Sequence, residues 1–492
     1  MSRHRFGYVA AITVVLIGAA AARPAASGAS PSSSGAISAV TVGAKGNEPI
    51  VKAAPDGTLY ISALQYIYRS RDHGASWTQL PGPVVSTVNL ASDSSISVDP
   101  GGRLYFTDDY PYAGTTAVCT SDDQGNTFAC NPAVVPGGTD RMWVLAPSTT
   151  SAYETTNEGL YETAFLVSHD RGMTFVPTQF TSNFLQPQTG PLIQKSSSSL
   201  VLQSLNDGNT NLDSLYVWDP SGASVTQAER SSPLPLPNSL PSDAMDQAGN
   251  VWLASEKANP QGGREVVTAY SPDEGQHWTQ LPPIPQTFTG TATFTAVAAG
   301  SAGHVGVLYY STTDNGDPNT LTNSTWSTVY AETFNATAAT PTWTVTTVDP
   351  GVHQGPICFA AGCMGNSRFS GDFITATMNP HDLPLLTWNK DMTGNGTTST
   401  VVRFGAASNP TVARVSRFAV ITHPATVTFT WQLAVPQGIA GFDLYAGSHR
   451  LNRWPVPVHA GKTYRYAAHW RERAPYSLHV LLTDGRQVVV ER

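Results

Sequence analysis

Charge is scarce in this chain. Only 13% of its 492 residues are Asp, Glu, Lys or Arg, while glycine and proline number 42 and 36. Both of those residues interrupt helices, so helical bundles and coiled coils are excluded and many short strands joined by tight turns are expected. Cysteine is limited to four residues, and no cluster of His accompanies them, which argues against a zinc site. The sequence also lacks a Gly-x-Ser-x-Gly elbow, a His-Glu-x-x-His helix and a phosphate-binding loop, and with them the usual signatures of serine hydrolases, zinc proteases and nucleotide enzymes. Beyond the N-terminus no long apolar run occurs, so no later membrane span is expected.

At the N-terminus Arg3 and Arg5 precede an uncharged apolar run from Tyr8 to Ala22, followed by small residues. This reads as an export signal, assigned to residues 1–26, with cleavage after Ala22 or a few residues later. The alternative, an uncleaved anchor, is disfavoured because the run is shorter than the ~20 residues a spanning helix needs. Residues 27–39 form a flexible leader rich in Ser, Gly and Ala. The mature protein is therefore expected to be secreted and monomeric. Export permits disulfides, and the simplest of the three connectivities pairs Cys119 with Cys130 and Cys358 with Cys363.

Charge is unevenly placed. Residues 24–412 carry 14 basic and 31 acidic side chains, whereas residues 413–492 carry 10 basic and 4 acidic ones. An acidic body repels nucleic acid and anionic membranes at long range, so neither is an expected partner. The basic tail reads as a solvated surface, with contact to acidic polymers or to the body itself as the alternative.

One eight-residue pattern, Ser-x-Asp-x-Gly-x-x-aromatic, recurs four times: Ser70 to Trp77, Ser121 to Phe128, Ser168 to Phe175 and Ser271 to Trp278. Its Asp residues, Asp72, Asp123, Asp170 and Asp273, are 51, 47 and 103 positions apart, and a degenerate copy at Asp219-Pro220-Ser221-Gly222 fills the long gap. The pattern suits a hairpin turn. Asp accepts backbone N–H groups, the glycine (Gly74, Gly125, Gly172, Gly275) takes positive φ, and the aromatic (Trp77, Phe128, Phe175, Trp278) fills the space beneath. After Tyr309 the pattern decays to Asp314-Asn315-Gly316 and the aromatic Trp343.

Seven strand pairs run alongside these turns, in Glu48–Ser62, Asp93–Thr107, Arg141–Thr155, Thr189–Ser204, Asp243–Ser255, Phe294–Tyr310 and Asp372–Trp388. Repeats of this length, built of short antiparallel strands, are the mark of propeller blades. The expected fold is all-β: a propeller over residues 40–410, of seven blades or alternatively six. Its ring would be closed by Ala36–Gly43 pairing near Val401–Phe404. Residues 413–492 read as a small β-sandwich similar to a fibronectin type III module, with a buried-Trp strand around Val427–Trp431.

The four turns resemble the Asp-box, or BNR-repeat, propellers that include sialidases. In that family the boxes lie on the blade periphery and serve folding. Activity rests on an arginine clamp for the substrate carboxylate, an Asp acid/base and a Tyr nucleophile activated by Glu. Here the first inner strand, Asn47-Glu48-Pro49-Ile50-Val51-Lys52, carries no Arg, and Glu48 stands where one would be sought. The resemblance thus implies a propeller that binds, and as an enzyme would hydrolyse, an extracellular glycan; the alternative is a non-catalytic scaffold for a protein or cell-wall polymer.

Polar residues at inner-strand starts should converge at the channel mouth. Those residues are Glu48, Asp93, Asp140 with Arg141, Asp243, and Arg368 with Asp372. Asp140 and Asp372 are the acid/base candidates, Arg141 and Arg368 the docking candidates, and Trp143 a surface for a sugar face. Structural ion pairing between blades is the competing assignment for all of them. Tyr153-Glu154 and Tyr161-Glu162 are adjacent in strands and point to opposite faces, so neither pair acts as a unit. No cofactor is expected; the acids Asp108 and Asp109 read as solvated loop residues, with structural calcium the alternative.

Overall fold

The computed structural model describes residues 36–491 except 84–92, 111–114, 137–138, 159–161, 182–187, 196–198, 207–211, 223, 360–368, 381, 392–399, 408–414, 434–438, 448, 454, 458–462, 471–473 and 483–486. Each of the seven anticipated strand pairs forms the two inner strands of a four-stranded antiparallel blade, with blades 5 and 6 joined into one eight-stranded sheet by a single parallel pairing of Arg264 with Thr291. Blade 1 comprises Ile50–Ala53, Leu59–Ala63, Tyr66–Ser70 and Thr78–Gln79; blade 2, Ser94–Val98, Leu104–Tyr110, Thr115–Ser121 and Ala129–Pro136. Blade 3 holds Thr139–Leu145, Ala152–Glu158, Glu162–Ser168 and Val176–Thr181, and blade 4 Gln188–Gln194, Val201–Asn206, Leu212–Asp219 and Thr226–Pro235. Blade 5 runs through Ser242–Met245, Val251–Ala258, Arg264–Ser271 and Thr279–Gln280; blade 6 through Thr291–Ala299, Val305–Thr312, Thr325–Thr333 and Thr344–Gln354.

Blade 7 is completed from both ends of the propeller chain. Its strands Thr375–Met378, Pro384–Asp391 and Thr400–Ala407 are joined by Ile37–Gly43 as the outer strand, with Val40 opposite Phe404 and Thr41 opposite Arg403. Part of the stretch assigned to the leader is therefore the clasp of the ring. Successive inner strands lie side by side and the seventh meets the first, so the ring has seven blades, not six. Aromatic residues fill the wedges between blades: Phe165 of blade 3 stacks on Trp218 of blade 4 with centroids 4.8 Å apart.

The four Ser-x-Asp-x-Gly turns connect the third strand to the outer strand in blades 1, 2, 3 and 5. In the first, the Ser70 hydroxyl donates to Asp72 (2.7 Å) and accepts from Gly74 N–H (2.8 Å), while Asp72 accepts from the N–H and hydroxyl of Ser76 (2.9 and 2.5 Å). The residue before each glycine also takes a left-handed φ: 57° at His73, 60° at Gln124, 65° at Arg171 and 54° at Glu274. Hydrogen bonds from Ser76, Thr127 and His277 hold the carboxyls of Asp72, Asp123 and Asp273 down at about 2. Asp219 makes the corresponding turn in blade 4, accepting from Ser221 N–H at 3.0 Å.

Blade 6 departs from expectation. Asp314-Asn315-Gly316 links its second and third strands, so it is not a copy of the turn. The degenerate copy is Thr333-Phe334-Asn335, where the Thr333 hydroxyl donates to Asn335 at 2.8 Å and Asn335 accepts from Thr342 N–H at 2.9 Å, just before Trp343.

Cys119 and Cys130 are disulfide-bonded directly across the third and outer strands of blade 2, so this bridge clamps a hairpin rather than a loop. Cys358 is also disulfide-bonded, and Cys363 lies outside the described residues. Asp108 is buried in the second strand of blade 2 and not in a solvated loop. The export segment and leader up to residue 35 lie outside the described residues. Among the described residues no helix is long and apolar enough to cross a membrane.

The C-terminal strands form two sheets. Val415–His423, Thr426–Leu433 and Thr463–His469 make one; His449–Arg450, Ile439–Ala446, Tyr476–Leu482 and Gln487–Glu491 make the other. Phe429, Trp431 and Tyr464 of the first meet Phe442, Leu444, Leu478 and Val480 of the second in one buried cluster, a seven-stranded sandwich.

Candidate functional site at the channel mouth

The inner strand of blade 3 carries a bulge. Pairing slips between Asp140 and Trp143, and Arg141 adopts φ 59°. An arginine at positive φ costs of order 1–2 kcal/mol, which the surroundings must offset. They do so by charge. The bulge aims the guanidinium across the mouth, where its Nη1 lies 2.8 Å from Asp93 Oδ2 of blade 2 and 3.8 Å from Glu48 Oε1 of blade 1. Its Nη2 contacts Asp372, just before blade 7, and its Nε is 3.8 Å from Asp140. Glu48 also has positive φ, 53°, and accepts the Asp372 N–H at 2.9 Å.

Sequence positions up to 324 apart thus meet in one cluster that ties four blades. The guanidinium side chain is only 12% exposed and that of Asp372 2%, against 52% for Asp140. Burial works against the Arg141 charge, but Asp93, Glu48 and Asp140 outweigh it and hold the group above its ordinary value. Burial likewise raises Asp93, and Arg141 with hydrogen bonds from Asp140 and Glu48 brings it below its ordinary value. With four acids around one base the mouth is acidic, and Asp140 is its most accessible member.

Two expected members stand elsewhere. Trp143 is 4% exposed, packs on Phe373 with centroids 5.2 Å apart and donates its indole N–H to Thr189 O at 2.9 Å. It is core and offers no face to a sugar. Asp243 lies further down the channel wall, buried, and accepts Ser204 N–H of blade 4 at 2.5 Å; burial pushes it up to about 8. Arg368 lies outside the described residues. Tyr153 belongs to the core, while Glu154 faces the other way onto Thr107 (2.5 Å) and Thr116 (3.0 Å) of blade 2.

The sequence reading missed Lys52 beside the expected Asp243, the trio of His304, Glu332 and Asp382, and Glu256, because these residues are isolated along the chain. Lys52 and Asp243 line an internal channel cavity of about 260 Å³, and Lys52 also lines a second cavity of about 460 Å³ toward the opposite end. His304 of blade 6 sits between Glu332 (3.0 Å) and Asp382 (2.9 Å). Buried Glu256 accepts the N–H groups of Asn238 (2.9 Å) and Thr295 (3.1 Å).

Seven four-stranded blades, closed by the N-terminal strand and carrying these box-like turns, settle the fold. In architecture the chain is a seven-bladed β-propeller. No family model and no curated protein matches it. Among solved structures it is similar to YCF48 bound to D1 peptide, at 12% identity and TM-score 0.47 over 76% of this chain and 97% of that one. It is similar also to the Hadza microbial sialidase Hz136, at 12% identity and TM-score 0.39 over 70% and 74% of the two chains. The GH74 xyloglucanase from Xanthomonas campestris gives 15% identity and TM-score 0.42 over 92% and 69%. These likenesses are faint ones of fold.

Proposed function

We propose that this propeller is a secreted protein that binds a neutral, hydroxyl-rich extracellular glycan at its acidic mouth without cleaving it. The observation that carries the reading is the saturation of Arg141 by Glu48, Asp93 and Asp372. A guanidinium already forked onto buried carboxylates is not available to clamp a substrate carboxylate, so an acidic sugar has no dock there. Sugar hydroxyls, by contrast, donate readily to half-exposed Asp140 and to Asp93 beside it.

The test is a panel of fluorogenic glycosides, sialosides included, together with a glycan array, using the mature protein and its Asp140→Asn variant. Absence of turnover with array binding that weakens in the variant is the expected result. Binding to acidic glycans alone would contradict it. A second reading, a glycoside hydrolase with Asp140 as acid/base, is favoured by the exposure of Asp140 at the mouth beside Arg141 and its buried carboxylates. Turnover that Asp140→Asn abolishes would establish that reading instead.

A further inference from the structure

Inside the channel, away from the mouth, one cation stands without a counter-ion. Lys52 projects from the inner strand of blade 1 and lines both cavities. Among the described residues it forms no ion pair, and Asp243 lines the first cavity with it. Lys195, at the second cavity, is by contrast paired with Glu274 at 3.2 Å. The equivalent positions of the other inner strands are Ser97, Leu145, Ile193, Ala244, Ala298 and Thr377, so nothing in the repeat requires a lysine here.

An ammonium drawn partly out of water, into a cavity walled by both polar and apolar groups, is costly unless something completes it. Asp243 does not do so: its carboxyl is engaged by the Ser204 N–H, and burial pushes it up to about 8, so that it is protonated at neutral pH. Burial also lowers Lys52, the expected response of an amine lacking an anion. The cavity then offers one ammonium and one protonated carboxyl as donors, with Val51, Leu145, Leu192 and Val297 as apolar wall. About 260 Å³ is room for roughly eight groups of water size, at about 30 Å³ each.

We propose that the central channel is a binding site for a short-chain carboxylate, its anionic head on Lys52 and Asp243 and its apolar tail against the inner strands of blades 3, 4 and 6. The site is independent of the mouth cluster and of any glycan held there. Its charge logic sets the pH dependence. Binding is strongest where Lys52 is charged and Asp243 protonated, and it weakens as pH rises through both values.

The experiment is trace acetylation of the full mature chain across a pH series, quantified by mass spectrometry at Lys52 and at Lys45, Lys195, Lys257, Lys390 and Lys462 as internal references. Lys52 should titrate below the other five. Near-saturating butyrate should slow its acetylation about tenfold, the fraction left free by a ligand well above its Kd, and leave the references unchanged. Butyramide, the uncharged isostere, should not protect. Asp243→Asn should keep the protection and lose the fall in binding near pH 8. Equal protection by butyramide, protection by inorganic phosphate but not butyrate, or Lys52 rates indifferent to butyrate would each overturn the proposal.

Discussion

Trp77 of blade 1 stands edge-on to Phe404 of blade 7, with ring centroids 5.0 Å apart and planes at 65°. Phe404 lies on the strand that the N-terminal clasp pairs with, and its ring sits directly over Gly74 of the first box turn. The seam of the ring is therefore locked by a turn from one end of the propeller and an aromatic from the other. A Cβ at Gly74 would collide with Phe404, whereas one at Gly102, with nearly the same φ (88° against 90°), meets nothing within 4 Å. Gly102→Ala should cost about 1 kcal/mol from backbone strain alone, and Gly74→Ala about 2–4 kcal/mol because Phe404 must also move. Urea unfolding of the two variants separates the contributions, and equal costs would mean that the seam yields freely.

Removing Arg141 would leave Glu48 and Asp372 buried with their charge uncompensated. Arg141→Met should destabilise the propeller by about 3–5 kcal/mol. Adding Asp372→Asn should recover part of that loss, because one stranded carboxylate is gone; the coupling follows from a double-mutant cycle. Strictly additive effects would show that the two side chains do not share the cluster that their contact implies.

The fold was legible because its signals are periodic and local. Four copies of Ser-x-Asp-x-Gly need only eight contiguous residues each, and Ala36–Gly43 could be set against Val401–Phe404 as the closing pair, where Ile37–Gly43 now pairs. Blade 6 escaped because Thr333 and Asn335 replace Ser and Asp and extra residues separate them from Trp343. The site was half legible. Glu48, Asp93, Arg141 and Asp372 were placed at one mouth from strand alignment, yet alignment says nothing of depth. Whether a guanidinium faces solvent or four carboxylates depends on the bulge at Arg141, which no residue type announces. Asp243 followed the same alignment and lies deeper because it stands closer to the turn that ends its strand, at Asp246, than Glu48 and Asp93 stand to the equivalent turns at Ala54 and Asp99.

Glu154 makes stability pH-dependent in a direction opposite to a salt bridge. Burial pushes its carboxyl up to about 7, against hydrogen bonds from Thr107 and Thr116 that lower it. The folded state then holds a proton that the unfolded state has released, so stability falls as pH rises from the ordinary carboxyl value toward 7 and stays reduced above it. Glu154→Gln removes the titration. It should leave stability near pH 4 almost unchanged and raise it at pH 8 by about 3 kcal/mol, from a rise of roughly two and a half units at 1.36 kcal/mol each. Thermal unfolding of both proteins at the two pH values decides it, and a variant less stable at pH 8 would contradict the assignment.

His304 supplies the complementary limb. Its ring lies between Glu332 and Asp382, joins blade 6 to blade 7 and stacks on Phe334 with centroids 4.1 Å apart. Burial disfavours the imidazolium, but hydrogen bonds to Asp382 and Glu332 prevail and raise its pKa, while the same contacts bring Asp382 below its ordinary value against burial. A raised His stabilises the fold fully below its ordinary value near 6.5, and that stabilisation is lost as pH climbs through the raised value. A lowered Asp stabilises above its ordinary value near 3.8, and that stabilisation is lost as pH falls through the lowered value. The stability gap between the native chain and His304→Gln should therefore be a plateau from about pH 4 to 6.5, on the order of 2 kcal/mol for charge-assisted bonds, and shrink on either side. Denaturant unfolding over pH 3–9 reads this profile directly. A gap that widened with alkalinity would mean that His304 is neutral between its carboxylates and that blades 6 and 7 are held by packing on Phe334 alone.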